Sequence, residues 1–321
     1  MKVLMITGDR RIFEPGTEAK ARFKLQQSAV EELRAVFWGK GALIRPFFTN
    51  GKFDVVTSQD PFWRGLVAWC IARRLGAQLN IQVHTDFEAE TKSKPIRHLL
   101  GQIVLRHADS VRVVSERIKD QVRRHTQAPI SVLPIFFDIE KFRNLVHRPH
   151  PRKTILWMGR FEDEKDPLLA ITVLEKVLQA GIDAELTVLG KGNLEEKFSQ
   201  RAANLPISWK YGAQIVPISA PIKNLGWQQD TAPYLEVADV FLCTSKYESW
   251  GASIVEALAA GVPVVAPDVG VAKEAGAIIA SRDRLAEAVI EVLRSVRPVR
   301  GELKLSPLSK EEWTVAWKET L

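Results

Sequence analysis

The residues best able to do chemistry lie in one run, Ser245-Lys-Tyr-Glu248-Ser-Trp-Gly251-Ala-Ser-Ile-Val-Glu256-Ala-Leu-Ala-Ala-Gly261-Val-Pro263. An apolar strand, Val240 to Cys243, feeds a short polar loop. A helix of small residues then begins near Gly251 and stops at Gly261 before another apolar strand. The free N–H groups and positive dipole end of such a helix face the loop, where a phosphate can be held. Glu248 stands just outside that N-terminus, and Glu256 about one and a half turns inside it. One carboxylate therefore lies beyond the phosphate position and one beside it. A nucleotide sugar offers hydroxyls at both places, the sugar on one side of the diphosphate and the ribose on the other. Alone, two glutamates eight positions apart read as surface residues; set in this loop, helix and Gly-Pro strand, they read as a pair.

A second group precedes it. Gly159-Arg160-Phe161 and Lys165 follow the strand Thr154 to Met158, and Val188-Leu189-Gly190-Lys191-Gly192 ends the next strand. Leu225-Gly226-Trp227, Tyr234 and Ala238-Asp239-Val240-Phe241-Leu242 lead into the glutamate run. These stretches, in this order, resemble the retaining family-4 glycosyltransferases of the GT-B fold. Upstream the likeness thins to Val83-His84-Thr85-Asp86, Val113-Val114-Ser115-Glu116 and Pro134 with Asp138 and Phe142. Gly16-Thr17 stands as a reduced form of the family's Gly-Gly loop, and Pro134-Ile-Phe-Phe-Asp138 departs from its Asn-Gly loop.

The resemblance implies transfer of a sugar from a nucleotide diphosphate sugar to an acceptor hydroxyl of a glycan, glycolipid or other molecule. The transition state has oxocarbenium character, and negative charge grows on the leaving phosphate. Arg160 and Lys165 are the cations expected to meet it. With two cations and no Asp-x-Asp pair, no metal and no cofactor is expected. Glu248 is expected on donor-sugar hydroxyls, Glu256 on the ribose diol, and Gly251, Ala252 and Ser253 on the distal phosphate through backbone N–H groups. Gly159 and Gly190 belong to the donor loops, Leu225, Gly226 and Trp227 lie along the base edge, and Gly16 approaches from the N-terminal half. His84, at the end of the strand Leu79 to Val83, is expected near the reacting centre. A nucleotide-sugar epimerase, a phosphorylase, and a non-catalytic partner subunit on the same fold are the rival readings. The intact set of Arg160, Lys165, Glu248 and Glu256 weighs against the last.

The elements that must position these residues alternate along the chain. Strand-like runs occur at 3–7, 36–38, 54–57, 79–83, 110–114 and 130–133. A second series falls at 154–158, 185–189, 207–209, 240–243, 263–266 and 276–279. Such alternation predicts parallel sheets with helices on both faces, and 321 residues exceed what one core usually serves. The expected fold is α/β with two Rossmann-like doubly wound domains, and the resemblance implies that they face a central cleft, acceptor on one side and donor on the other. The N-terminal acceptor-side domain spans 1–149, and the donor-side domain spans 150–305 beyond a linker at Asn144 to Arg152. The segment 306–321 opens with Ser309-Lys-Glu-Glu, a capping box. The resemblance implies that it packs back on the N-terminal domain through Trp313 and Trp317.

Charge is divided unevenly. Residues 1–150 carry 25 Lys and Arg against 15 Asp and Glu, and residues 151–321 carry 20 against 23. A basic N-terminal half predicts an anionic partner, a lipid headgroup or phosphorylated acceptor; no nucleic-acid motif accompanies it. The segment Lys94–Val104 has amphipathic spacing at Ile96, Leu99, Leu100, Ile103 and Val104, with Lys92, Lys94, Arg97 and Arg106 around it. Its apolar stripe is expected to pack on the sheet, and its basic rim to touch anionic membrane. Two isolated cysteines, Cys70 and Cys243, and no long apolar run suit a cytoplasmic protein, working at the inner face of the membrane if that rim engages lipid.

Overall fold

The computed structural model describes residues 1–39, 49–136, 138–205, 208–211, 214–217 and 221–321. The chain divides into two compact units, one of 1–138 with 307–321 and one of 139–306.

In the first unit, strands β1 (Lys2–Thr7), β2 (Glu32–Phe37), β3 (Val55–Ser58), β4 (Gln78–Val83), β5 (Ser110–Val113) and β6 (Ile130–Val132) form a parallel sheet ordered β2-β1-β3-β4-β5-β6. Helices α1 (Glu18–Ala29), α2 (Trp63–Leu75), α3 (Phe87–Thr91), α4 (Pro95–Arg106) and α5 (Glu116–Val122) intervene. Parallel strands covered on both faces usually read as continuous apolar runs. This sheet departs from that rule. Thr57, Asn80, Gln82 and Arg112, all buried, lie on the adjacent strands β3, β4 and β5. The Thr57 hydroxyl donates to Asn80 Oδ1 at 2.7 Å, Gln82 Nε2 donates to the Thr57 hydroxyl at 2.8 Å, and Arg112 Nη1 donates to Gln82 Oε1 at 2.8 Å. These four buried polar side chains bond to one another in a line across the sheet.

The C-terminal helix Lys310–Glu319 belongs to this unit and is opened by the Ser309/Glu312 capping box. Trp313 and Trp317 are buried with Val3, Met5, Phe23 and Val55, and Trp313 Nε1 donates to the Pro134 carbonyl at 2.8 Å. Asn80 Nδ2 donates to the Thr320 carbonyl at 2.7 Å, which ties the chain's last turn to the polar line.

In the second unit, β7 (Lys153–Met158), β8 (Ala184–Leu189), β11 (Ile222–Asn224), β12 (Val240–Leu242), β13 (Val264–Ala266) and β14 (Ile278–Ile279) form a parallel sheet ordered β11-β8-β7-β12-β13-β14. A separate antiparallel pair comprises β9 (Ser208–Tyr211) and β10 (Gln214–Pro217). The helices are α6 (Glu140–Arg143), α7 (Pro167–Gln179), α8 (Glu195–Ala203), α9 (Ala232–Leu235), α10 (Ala252–Ala259), α11 (Ala272–Ala275) and α12 (Leu285–Arg294). Ile155, Trp157, Phe161, Leu174, Leu186 and Leu242 centre its core.

Two sequence expectations change here. The run at 207–209, whose Ile207 lies outside the described residues, joins the hairpin rather than the main sheet; the edge strand is Ile222–Asn224, whose Lys223 and Asn224 are exposed and give no apolar signal. The units divide at 138/139 rather than at 149. Phe142 of α6 is fully buried, Arg148 N donates to the Glu236 carbonyl at 2.7 Å, and His150 Nε2 lies 2.6 Å from Asp239 Oδ2. The expected linker is thereby pinned to the second unit.

Candidate functional site

In open α/β sheets ligands settle at the carboxyl ends of the strands, where the strand order reverses. In the second unit that point lies between β7 and β12. The loops leaving these two strands carry Arg160 and Lys165 on one side and Ser245 and Glu248 on the other.

The structure joins them. Lys165 Nζ forms an ion pair with Glu248 Oε1, and the Ser245 hydroxyl donates to the same oxygen at 2.8 Å. The side chains are 19% and 10% exposed. The backbone is stitched as well: the Thr244 hydroxyl donates to the Lys165 carbonyl at 2.7 Å, and Trp157 Nε1 donates to the Thr244 hydroxyl at 2.8 Å. Lys246 N donates to the Glu164 carbonyl at 2.7 Å. Arg282 bonds both the Thr244 carbonyl and Asp166 Oδ2. Lys165 and Glu248, expected on the diphosphate and on the donor sugar respectively, are thus direct partners. A cation and a carboxylate this shielded hold each other firmly unless a ligand offers replacements. Arg160 differs: its side chain is 64% exposed and pairs with Glu164 Oε1 at 2.6 Å.

Helix α10 starts at Gly251, whose φ of 99° lies where only glycine is unstrained, and no side chain caps the helix. The need for glycine is therefore conformational, whatever sits nearby. The N–H groups of Ala252 and Ser253 open the helix at the loop that holds Glu248. Glu256, one face further along α10, has the Thr231 hydroxyl 3.5 Å from Oε2.

The glycine loops continue the sheet beyond its strands. Gly159 N donates to the Leu189 carbonyl at 3.0 Å, Gly190 N to the Gly226 carbonyl at 2.8 Å, and Leu225 N to the Val188 carbonyl at 3.0 Å. A Cβ on Gly190 would lie 1.8 Å from the Gly159 carbonyl oxygen. Gly190 thus allows the loops after β7 and β8 to meet, a role that needs no ligand. Leu225 and Trp227 are 41% and 60% exposed, so this tryptophan is not a core residue.

His84 and Gly16 lie in the first unit. Gly16, at φ 80°, turns the chain into α1, where the Thr17 hydroxyl caps the helix by accepting from Lys20 N at 3.1 Å. His84 ends β4, and its Nε2 is buried without a hydrogen-bond partner among the described residues. Burial, then the nearby charges of Arg112 and Arg22, push its pKa down to about 3. It is neutral at neutral pH.

Among the described residues, His147, His150 and Asp239 bring three potential metal ligands within 4.8 Å. They lie at the amino-terminal ends of β7 and β12, the edge opposite the glutamate loop. Asp239 is already engaged by His150, by Lys153 Nζ at 3.0 Å and by Thr154 N at 2.8 Å. Burial opposes the proton on His150, but bonds to the Arg148 carbonyl and to Asp239 outweigh it and raise the pKa. These residues form a strap on the chain and do not approach the ligand loops.

Sequence reasoning included Ser245 in its run without giving it a role and missed Thr244 and Arg282, whose contacts depend on loops meeting across the sheet. It also missed Arg112. A charged residue amid the valines of β5 was the signal for that one.

Two six-stranded parallel sheets, each with a doubly wound strand order, make the fold GT-B. Residues 152–295 match the family described as glycosyl transferases group 1, and residues 9–135 match the glycosyl transferase 4-like domain. The chain belongs to the group 1, family-4-like glycosyltransferases. It is 26% identical over 239 residues to an alpha-monoglucosyldiacylglycerol synthase of Streptococcus pneumoniae, covering 67% of this chain and 52% of that protein. It is 25% identical over 272 residues to a phosphatidyl-myo-inositol mannosyltransferase of Mycobacterium leprae, covering 78% and 67%. The chain thus spans about half to two thirds of the length of these curated relatives. The crystal structure of Anabaena Alr3699/HepE in complex with UDP and glucose superposes with a TM-score of 0.70 at 15% identity, over 100% of this chain and 94% of that one, a likeness of fold.

Proposed function

We propose that this chain is a retaining glycosyltransferase that moves a sugar from a nucleoside diphosphate sugar, held by residues 139–306, to an acceptor hydroxyl served by the first unit. The observation that supports the reading is the Lys165–Glu248 pair at the switch point, in the loop that opens α10, the helix that carries Glu256. A donor needs a cation and N–H dipoles for its diphosphate and separate acceptors for its sugar and ribose hydroxyls, and this arrangement offers them together.

In this reading the sugar hydroxyls take up Glu248, releasing Lys165 toward the leaving phosphate, with Arg160 reaching in from the surface. The anomeric C–O bond to phosphate breaks as the bond to the acceptor oxygen forms on the same face, and the acceptor proton passes to a diphosphate oxygen. The two cations carry the charge that a metal carries in other transferases, so chelation by EDTA is expected to leave turnover unchanged. Trp227 lies along the base and Glu256 holds the ribose.

The curated relatives are named for diacylglycerol and phosphatidylinositol products or acceptors, which favours a lipid-linked acceptor and work at the cytoplasmic face of a membrane. No helix among the described residues is long and apolar enough to cross one. Helix α4 offers a surface instead: Ile96, Leu99 and Ile103 are 74%, 57% and 38% exposed, with Lys92, Lys94 and Arg106 beside them.

Calorimetry with UDP and GDP tests the donor assignment. Glu256→Gln should weaken whichever nucleoside diphosphate binds, because the ribose is common to free nucleotide and donor. Glu248→Gln should leave that affinity nearly intact while turnover falls. Equal loss of nucleotide affinity in both variants contradicts the division of labour. Hydrolysis or epimerisation of the donor with no acceptor present favours the epimerase reading instead.

A further inference from the structure

The first unit holds a cavity of ≈ 230 Å³ at the carboxyl ends of β1, β3 and β4, at the point where its own strand order reverses. Arg11, Arg22, Arg112, Gln59 and His84 line it, and the one carboxylate among its described lining residues is Asp9.

That carboxylate is already spent. Arg11 Nε and Nη2 each donate to Asp9 at 2.9 Å in a two-pronged pair, and Arg11 N donates to it at 3.0 Å. The remaining guanidiniums lack such a partner. Arg112 is 1% exposed; Nε and Nη2 donate to the carbonyls of Leu133 and Pro134, Nη1 donates to Gln82, and no carboxylate touches it among the described residues. Arg22, whose side chain is 28% exposed, has among the described residues one ion-pair partner, Glu18, 3.8 Å away and 71% exposed. Asp9, already paired with Arg11, acts on it from further off. Burial lowers the pKa of both arginines, Arg112 to about 9. A guanidinium taken from water without a counter-charge is costly, and a chain bears that cost most readily where a ligand supplies the missing charge. His84, neutral and with Nε2 unpartnered, adds one further polar group.

We infer that this cavity binds the phosphate of a phosphorylated acceptor, with Arg22 and Arg112 as its anion-binding residues and His84 and Gln59 as polar neighbours. This rests on the transferase reading above and adds the chemical class of the acceptor. Phosphate suits this pair because a guanidinium such as that of Arg22 can present a planar fork of N–H donors. Arg112, whose three nitrogens each already donate within the protein, adds a fixed positive charge and its two remaining N–H groups. A carrier lipid headgroup and a soluble phosphorylated sugar present the same chemistry, and the cavity holds a phosphate together with a small polyol.

The test titrates inorganic phosphate, glycerol 1-phosphate and glycerol into the full chain. Wild type should bind both phosphates and ignore glycerol. Arg22→Gln should lose about tenfold or more in affinity for both, and Arg22→Lys should recover part of it. Arg22 is used because loss of the deeply buried Arg112 endangers folding. UDP or GDP affinity in Arg22→Gln should equal that of wild type. Displacement of glycerol 1-phosphate by phosphatidylglycerol vesicles assigns a lipid headgroup, and no displacement assigns a soluble phosphate. The inference is overturned if wild type binds neither phosphate, if Arg22→Gln binds them as well as wild type, or if Arg22→Gln weakens the nucleotide equally. Failure of the transferase reading registers separately, as nucleotide binding indifferent to Glu256→Gln.

Discussion

Lys165 and Arg160 separate a residue's part in catalysis from its part in folding. Both are expected on the leaving phosphate, and each alanine variant should lower turnover by about 10² or more, as loss of an oxyanion donor does. Their environments differ. Lys165→Ala strands a Glu248 carboxylate that is 10% exposed, with the Ser245 hydroxyl as the one partner left on the paired oxygen among the described residues. A stability loss of about 1–3 kcal/mol is expected. Arg160→Ala removes one exposed pair worth less than ~1 kcal/mol. Urea unfolding should therefore distinguish them while turnover does not; equal stability in the two variants removes the ion pair from the account. His84 makes a second prediction. Its pKa is depressed in the folded chain, so the unfolded state takes up the proton first as pH falls below about 6.5. Stability should then decline on acidification by up to about 1.4 kcal/mol per pH unit until the pH nears the folded value of about 3. His84→Phe should flatten that slope in urea titrations between pH 7 and pH 5, and an unchanged slope shows that other groups carry it. Phosphate bound beside His84 should raise its pKa, observable by NMR.

Elements were legible wherever an apolar run matched a buried strand. The β7 and β8 runs and the stop of α10 at Gly261 all followed from pattern. The pattern failed where burial is polar or exposure apolar. Asn80 and Gln82 alternate with Leu79 and Ile81 on β4, which reads as a strand with one wet face, yet both are fully buried. Asn80 bonds to Thr320, more than two hundred residues away, and Gln82 to Thr57 and Arg112 on the neighbouring strands, contacts that no local pattern encodes. Lys165 and Glu248 were each singled out by motif, but their pairing required the order β7-β12, a fact of topology. Helix α4 failed in the opposite sense. Leu100, Gly101, Val104 and Leu105 face the unit's interior, whereas Ile96, Leu99 and Ile103 remain in solvent, so the stripe expected to be packed is split. The basic rim is also thinner than its sequence suggests: Arg97 lies over the Phe62 ring at 3.7 Å and, like Lys94, lies near Glu90. Apolar insertion therefore carries more of any membrane contact than charge does. Ile96→Ser with Leu99→Ser should abolish co-sedimentation with phosphatidylglycerol vesicles at both low and high salt. Lys92→Ala with Arg106→Ala should weaken it only at low salt, each cation being worth about 1 kcal/mol. If wild type stays in the supernatant at low salt, α4 is not a membrane contact.

At the scale of the whole molecule, each unit repeats one plan: a six-stranded parallel sheet with its own core and polar chemistry where the strand order turns. The excess of positive charge lies with the first unit's sequence, and the helix N-terminus with its two glutamates lies in the second. If phosphate recognition is divided in this way, ligands should stabilise the units separately. A ligand at 100 times its dissociation constant adds about 2.7 kcal/mol to the state that binds it. For amides that exchange only through unfolding of their unit, that corresponds to about 100-fold slower exchange. Saturating UDP or GDP should slow the core strands β7, β8, β12 and β13 by that order and leave β1, β3 and β4 near their unliganded rates. Glycerol 1-phosphate should do the reverse. Hydrogen exchange followed by peptide mass spectrometry reads both sets in one experiment. Equal slowing of both sheets by either ligand shows that the units unfold as one or share the site, and the division of donor and acceptor between them is then abandoned.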